Sequence, residues 1–502
     1  MYTLPAAILV EALAIALLFE LFTSYIRKPA AIKAPVVGHR SWLEPTFLVR
    51  LRFLTGAQDI LTRAYRKHKD GMFMVRRLDA DILVMSNRYL EEIRLLPYTV
   101  LSNVHAQYKN IKGNYTFADA VLKSDLHTRV LRNQLTPKLP YYVERSKEEF
   151  DYAFNDDFPQ AEAAAWKEVD IQNIARTVVA RMTGVVFLGH PTCRNEDWLR
   201  ISVQYPMDTF QTAFTLRMFP TFMHPFLARL LPSRRRLVRH KQQAKEILTP
   251  LIEKHNVKTL AGGQDIGSLL DWMLDNATGD EADPTEMTSR QLILTLASIH
   301  TTALAITHAL FDLCAHPEYL EPLRQEIEEV TKEYKDVDFL HQGLPRLEKL
   351  DSFLAESQRF HPPVLMAPQR VALKSIKLRS GMQIPQGTRV AFPAFNILMD
   401  PDVTPNPDRF DAFRAYNLRE STGRCRDFMV QSDKDHLVFG HGKQACPGRY
   451  FAAAELKIVL SRLLTEYDFR FVESKPTPRT FFLDENCYLD PAANLMLRRR
   501  VK

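Results

Sequence analysis

The chain has 502 residues, 46% of them hydrophobic and 25% charged, with a formal net charge of +7. The basic excess is spread along the sequence and comes with no nucleic-acid recognition motif. It suits an anionic membrane surface or an acidic protein partner, and no nucleic-acid role is expected. Five cysteines (Cys193, Cys314, Cys425, Cys446, Cys487) are odd in number and far apart, which argues against a disulfide framework and for a reducing compartment.

Leu4 to Ile26 is apolar and long enough to cross a hydrocarbon layer of about 30 Å. Arg27, Lys28 and Lys33 follow it, an order that leaves the rest of the chain on the cytoplasmic side. Glu11 and Glu20 are the costly residues in this span. Residues 1–28 are therefore expected to form an uncleaved membrane anchor. Residues 29–45, with Lys33 to Gly38 reading KAPVVG, are expected to form a stiff hinge. No Gly/Ser-rich linker, repeat or low-complexity tract follows, so residues 46–502 read as one large domain, mostly α with a small β part (α+β).

Within that domain Gln58 to His68 has helical spacing, and Met72–Arg77 with Asp81–Ser86 reads as a hairpin. From Trp166 to Val330 almost every segment is helical in period, with a polar loop at Asn276 to Thr285. Ser289 to Cys314 is apolar on almost all faces, so it is either central or membrane-embedded. His300, Thr301, Thr302, Thr307 and His308 within it favour burial against a polar site. Beyond Phe360 the text turns proline-rich and strand-like, through Val371–Leu378 and Arg389–Phe392, and a short strand-rich tail closes the chain.

The most informative segment is FGHGKQACPGRYFA, Phe439 to Ala452. Gly440, Gly442 and Gly448 let backbone pass close to a flat group, and Pro447 comes just before a predicted helix over Phe451–Leu464. A sulfur at a helix N-terminus is expected to favour its thiolate form, which makes a good axial ligand for haem iron. The plain alternative is a buried structural cysteine.

With three further motifs the chain resembles a cytochrome P450, a haem-thiolate monooxygenase. Phe439, Gly442, Cys446 and Gly448 match the family's haem-binding loop. Glu356-Ser357-Gln358-Arg359 resembles its E-x-x-R motif, Pro407-Asp408-Arg409-Phe410 its meander, and Ala297 to Thr302 its oxygen-binding helix segment. The closest flavour is that of fungal ent-kaurene oxidase-like and terpenoid-tailoring members. The resemblance implies haem b, with Cys446 as the axial iron ligand. It makes Thr301 the proton-relay hydroxyl. His300 stands where the family places an acid and Ser298 where it places glycine, so His300 either relays protons or hydrogen-bonds within its helix.

It implies a structural network of Glu356, Arg359 and Arg409 behind the cysteine loop. Gln444 replaces the usual cation two residues before the cysteine, so propionate neutralisation is expected from Arg370 and Arg132, either of which could instead be a solvated arginine. Segments Tyr108–Phe117, Phe210–Phe219, Leu294–Thr302, Val364–Ala367 and Asp484–Tyr488 resemble substrate-contact regions and suit a bulky lipophilic compound. Met218 to Met223 is expected to reach into the membrane.

The implied reaction uses O2 and electrons from NADPH through a separate cytochrome P450 reductase, with cytochrome b5 as a second candidate donor. The expected location is the endoplasmic reticulum membrane, single-pass, with the catalytic domain facing the cytosol. Terpenoids or meroterpenoids are the implied substrates. Three rivals stand beside this reading: a haem isomerase or dehydratase needing no external electrons, a non-catalytic haem sensor, and a cysteine hydrolase pairing Cys446 with His441.

Overall fold

The computed structural model describes residues 32–500 apart from 42, 159–164, 261–266 and 424–428. The expected anchor over residues 1–28 lies outside the described residues, as does Cys425. Part of the expected hinge is pinned. The Val37 N–H donates to the Met74 carbonyl at 2.9 Å, and the Met74 N–H to that of Pro35 at 2.8 Å.

The domain opens with helix α1 (Thr46–His68) and strands β1 (Met72–Arg76) and β2 (Asp81–Met85), which pair antiparallel from Met72↔Met85 to Arg76↔Asp81. Strand β3 (Leu101–Ser102) leads into helix α2 (Asn103–Asn110), whose first turn is capped by the Ser102 hydroxyl accepting from the His105 N–H. A run of helices follows: α3 (Leu139–Asp157), α4 (Ile171–Leu188), α5 (Glu196–Arg217), α6 (Pro232–Leu260), α7 (Pro284–Ala315), α8 (Leu320–Glu333) and α9 (Glu348–Phe360). Strand β4 (Lys167–Val169) interrupts it. Strands β5 (Gln369–Ala372), β6 (Ile376–Lys377), β7 (Gln383–Ile384) and β8 (Arg389–Ala391) come next, then helices α10 (Arg414–Thr422) and α11 (Arg449–Glu466). Strands β9 (Tyr467–Phe471), β10 (Thr480–Leu483), β11 (Asn486–Leu489) and β12 (Leu495–Arg499) complete the tail.

The main sheet runs β1-β2-β8-β5-β3, with β2 and β8 parallel and the other pairs antiparallel. Its hairpin is buried on both faces. Alternate residues serve two cores: Met72, Met74, Leu83 and Met85 face one apolar cluster, and Phe73, Val75, Ile82 and Val84 another. Strands β4, β12 and β9 form a second sheet near the chain's end.

Helix α7 is the axis of the largest core. Asp283 caps it, its carboxylate accepting from the Thr285 N–H at 2.8 Å and the Glu286 N–H at 3.2 Å, and Pro284 takes the first helical position. At 32 residues it is long and apolar enough to cross a membrane, but α4, α5, α6, α9 and α11 pack around it. Of the two readings open to an all-round apolar helix, the structure shows burial. Its hydroxyls bond back to carbonyls in their own helix, Ser289 to Thr285, Ser298 to Leu294 and Thr307 to Ala303, all within 2.8–2.9 Å.

Candidate functional site

The segment Phe439–Ala452 forms a tight loop closed by its own backbone. The Cys446 N–H donates to the Phe439 carbonyl at 2.8 Å, and the Ala445 N–H to Gly442 at 3.1 Å. Gly440 and Gly442 have φ of +71° and +76°, a region that disfavours any side chain. At Gly442 a Cβ would also lie 3.0 Å from the Arg94 Cβ. Gly448 is different: its φ is −91° and a Cβ there would meet no protein atom within 4 Å. The neighbouring chain does not require glycine at Gly448, so the space beside it is open to another group.

Cys446 keeps part of its surface open, yet the protein around it pushes its thiol above the ordinary cysteine range. The N–H groups of Gly448 and Arg449 and the Arg449 guanidinium pull the other way without prevailing. The expectation that the helix N-terminus alone favours thiolate is therefore corrected: desolvation outweighs it, and a bound metal cation is what deprotonates a sulfur in such a place.

Helix α7 presents an open stripe inside the molecule. Ala297 and Thr301 are exposed, Ile293 and Ala305 half-buried, while Leu294, Leu296, Ile299 and Thr302 around them are buried. Positions 293, 297, 301 and 305 repeat every four residues and share one face. The Thr301 hydroxyl lies on that face and donates to the Ala297 carbonyl at 2.9 Å. His300 points elsewhere: its Nε2 is 2.8 Å from the Val203 carbonyl on α5, and burial lowers its pKa. Of its two expected behaviours the hydrogen bond is the one present, made to the neighbouring helix rather than within its own.

Arg370 is almost fully buried. Its guanidinium donates to the carbonyls of Ile93 at 3.0 Å and His441 at 3.3 Å. Its Nε has no partner, no acid pairs with it among the described residues, and burial lowers its pKa to about 10. A buried cation with no counter-charge is costly, so the site suits an incoming carboxylate. Arg132 donates to the Lys443 carbonyl at 2.5 Å, at the edge of the same loop. Gln444 is fully used elsewhere. Its Oε1 accepts from the Asn103 N–H and its Nε2 donates to the Leu101 carbonyl, both at 2.9 Å.

Behind the loop, Arg359 and Glu356 form a two-bond pair at 2.9 Å for each contact, both buried. The expected third member, Arg409, contributes only its backbone carbonyl, which accepts from Arg359 at 3.4 Å and from Arg414 at 2.9 Å. The guanidinium that reaches Glu356, at 3.4 Å, belongs to Arg414. The meander turns so that position 409 offers backbone and the first residue of α10 offers charge. Spacing within the Pro407–Phe410 motif could not reveal this, because Arg414 lies outside it.

His441, the base required by the hydrolase reading, is bonded to the Ser432 carbonyl through Nδ1 at 3.1 Å and faces Glu91 through Nε2 at 3.2 Å. Val364 and Asn486 meet in a bridge, bringing together two segments expected to line the substrate space. Asp484 and Glu485 do not line that space. They are buried in an ionic cluster with Arg77 and Arg217.

A single thiol on a glycine loop, an open helical stripe, space beside Gly448 and an unpaired buried guanidinium together fit an iron porphyrin with acidic side arms. The fold and site define a haem-thiolate oxidoreductase. The family model described as Cytochrome P450 matches residues 95–490. A cytochrome P450 monooxygenase of Emericella nidulans is 41% identical over 495 residues, covering 98% of this chain and 92% of its own. Ent-kaurene oxidase P450-4 of Gibberella fujikuroi is 40% identical over 476 residues, covering 94% and 93%. The monooxygenase olcJ of Penicillium canescens is 38% identical over 479 residues, covering 95% and 90%. The chain belongs to the cytochrome P450 family and is a monooxygenase, with the haem-iron cofactor and redox partner that membership implies.

Proposed function

We propose that this protein is a membrane-anchored monooxygenase that oxidises a bulky lipophilic terpenoid or meroterpenoid. It uses haem b and takes electrons from NADPH through a separate reductase, with cytochrome b5 as an auxiliary donor. It resides in the endoplasmic reticulum membrane with its catalytic domain in the cytosol. The observation that carries this reading is the Cys446 loop, closed on Phe439 and open beside Gly448. The ent-kaurene oxidase among its relatives supports the substrate class.

Bound at Cys446, haem supplies the oxygen-activating chemistry of the reaction. The chain supplies the rest. Cys446 is held as ligand by the loop and by the N–H groups of Gly448 and Arg449. Arg370, and Arg132 at the loop's edge, would hold the acidic side arms. Glu356, Arg359 and Arg414 hold the polypeptide beneath. Thr301 places a hydroxyl on the open face of α7, where it can exchange its bond to Ala297 for one to an incoming oxygen and pass a proton to it. His300 orients α7 against α5. The apolar stripe excludes water and keeps that proton path ordered.

The test is the carbon monoxide difference spectrum of reduced protein beside Cys446→Ser, followed by turnover of terpenoid hydrocarbons with NADPH and reductase. A red-shifted Soret band lost in the variant, with turnover that needs both NADPH and reductase, is expected. A missing band in folded, haem-supplied protein refutes thiolate ligation, and turnover without electrons selects the isomerase reading.

A further inference from the structure

Away from the cysteine loop, the short turn between α4 and α5 brings His190 and Cys193 against Glu149 on α3. Its own backbone holds the turn. The Cys193 N–H donates to the Gly189 carbonyl, and the Arg194 N–H to that of Pro191, both at 3.0 Å. Gly184 on α4 lets the turn pack closely, since a Cβ there would lie 3.4 Å from both the Cα and the Cβ of Cys193. The His190 imidazole stands between the other two groups. Its Nδ1 is 3.2 Å from the Cys193 Sγ, and its Nε2 is 3.7 Å from a Glu149 carboxylate oxygen.

One ligand atom from each side chain lies within 4.8 Å of the others. Tetrahedral zinc sets sulfur, nitrogen and oxygen ligands about 3.3–3.6 Å apart, so side-chain movements of about 1 Å close the set. Glu149 and Cys193 are buried, whereas the His190 side chain is 42% exposed and free to turn. Beside them a cavity of about 520 Å³, lined by Pro191, Thr192, Arg194 and Glu246 among others, gives an approach from solvent. Two cations stand near. Arg181 is paired with Asp156 at 2.9 Å. Arg194 donates to Glu149 through Nε at 3.2 and 3.0 Å and through Nη2 at 2.9 Å, and lies over the Tyr152 ring at 3.6 Å. A ligating carboxylate is ordinarily hydrogen-bonded from behind, the part Arg194 can keep. Its side chain is 39% exposed, so its charge is left to solvent.

We infer that Glu149, His190 and Cys193 form a metal site of the zinc class that ties α3 to the turn leading into α5. Thiolate, imidazole and carboxylate together select zinc over magnesium or calcium. Ligation breaks the Cys193 S–H bond and forms a metal–sulfur bond; the proton passes to solvent and no electrons move. Carboxylate and thiolate then balance the charge of the ion. The inference needs nothing from the haem site, so it stands or falls separately from the proposed reaction.

The experiment uses full-length, untagged, haem-loaded protein, in which Cys446 is already taken, after treatment with a chelator. Zinc is added in competition with a chromophoric indicator, and absorption at the zinc K edge reports its neighbours. One equivalent is expected to bind, with a sulfur at about 2.3 Å and about one proton released per zinc. Cadmium displaces it, while a hundredfold excess of magnesium does not. Cys193→Ser removes the sulfur neighbour. His190→Gln weakens binding at least about tenfold, whereas His341→Gln, an exposed histidine elsewhere, leaves it unchanged. Absence of stoichiometric zinc, a zinc shell without sulfur, or a sulfur that persists in Cys193→Ser overturns the inference, as does equal weakening by the two histidine variants. His190→Gln alters an exposed side chain and the sulfur neighbour is read on the unmodified protein, so the test survives a Cys193 variant that fails to fold.

Discussion

Glu455 allows a quantitative test of how this core is held. It lies on α11, nine residues beyond Cys446, and is 1% exposed. Its carboxyl meets only the Thr183 hydroxyl, which donates at 3.3 Å, and no cation pairs with it among the described residues. Burial raises its pKa from 4.5 to about 8. The folded protein therefore keeps Glu455 protonated at neutral pH, while the unfolded chain ionises it. Its contribution to stability is complete below pH 4.5 and is lost as pH rises through 8, at about 1.36 kcal/mol per pH unit. The total loss is about 5 kcal/mol, of which about 3 kcal/mol has gone by pH 7.

Glu455→Gln keeps the shape and cannot ionise. Urea unfolding of the haem-loaded protein, followed by the Soret band from pH 5 to 8.5, is the assay. The variant is expected to equal the wild type near pH 5, exceed it by about 3 kcal/mol at pH 7, and show a correspondingly shallower pH slope. Identical slopes in the two proteins would refute a neutral, buried Glu455. A variant less stable at every pH would show that the native carboxyl is ionised and paired.

Arg414→Ala should lower the carbon monoxide-binding fraction and cost about 1–3 kcal/mol, because buried Glu356 and the Arg409 carbonyl lose a half-buried partner. Arg409→Ala, which leaves its carbonyl in place, should cost under about 1 kcal/mol; thermal unfolding of the two variants checks the order. Gln444→Ala strands the Asn103 N–H and the Leu101 carbonyl, so a loss of about 2–4 kcal/mol is expected by denaturant unfolding. Arg370→Met removes an uncompensated buried cation, so the apoprotein should gain stability while haem transfer to apomyoglobin becomes faster; an unchanged transfer rate would remove Arg370 from the haem site.

Much of this arrangement was legible in the sequence, for identifiable reasons. Glycines at positions 440 and 442 report a backbone that only glycine adopts readily, so the cysteine loop announces itself. The hairpin over Met72–Arg76 and Asp81–Met85, and the long central helix, follow from local pattern and appear within a few residues of their expected bounds. Glu356 and Arg359 pair because three residues on a helix bring side chains together. What stayed hidden depended on distant contacts. Nothing local tells Arg414 from Arg409, and the Val203 carbonyl that claims His300 is 97 residues away. Asp484 and Glu485 sit next to substrate-facing positions in sequence, yet Arg77, more than 400 residues earlier, turns Glu485 inward. The thiol was misjudged for another reason: a helix dipole can be read from order along the chain, whereas the competing desolvation depends on packing density.

Helix α2 has a consequence for engineering. Gln444 grips the Asn103 N–H at its first residue, and Lys109 sits in its last turn with Lys112 just beyond its end, so about 12 Å of unbroken helix joins the cysteine loop to the cavity lined by Asp79, Lys109, Lys112 and Arg389. A strut of that length moves as one piece: reshaping the cavity entrance to admit a different molecule also displaces the anchor point of the iron-binding loop. Variants in the entrance should therefore be screened for Soret position and reduction potential as well as for uptake, and swaps that include the whole of Leu101–Lys112 will transplant more cleanly than single changes within it.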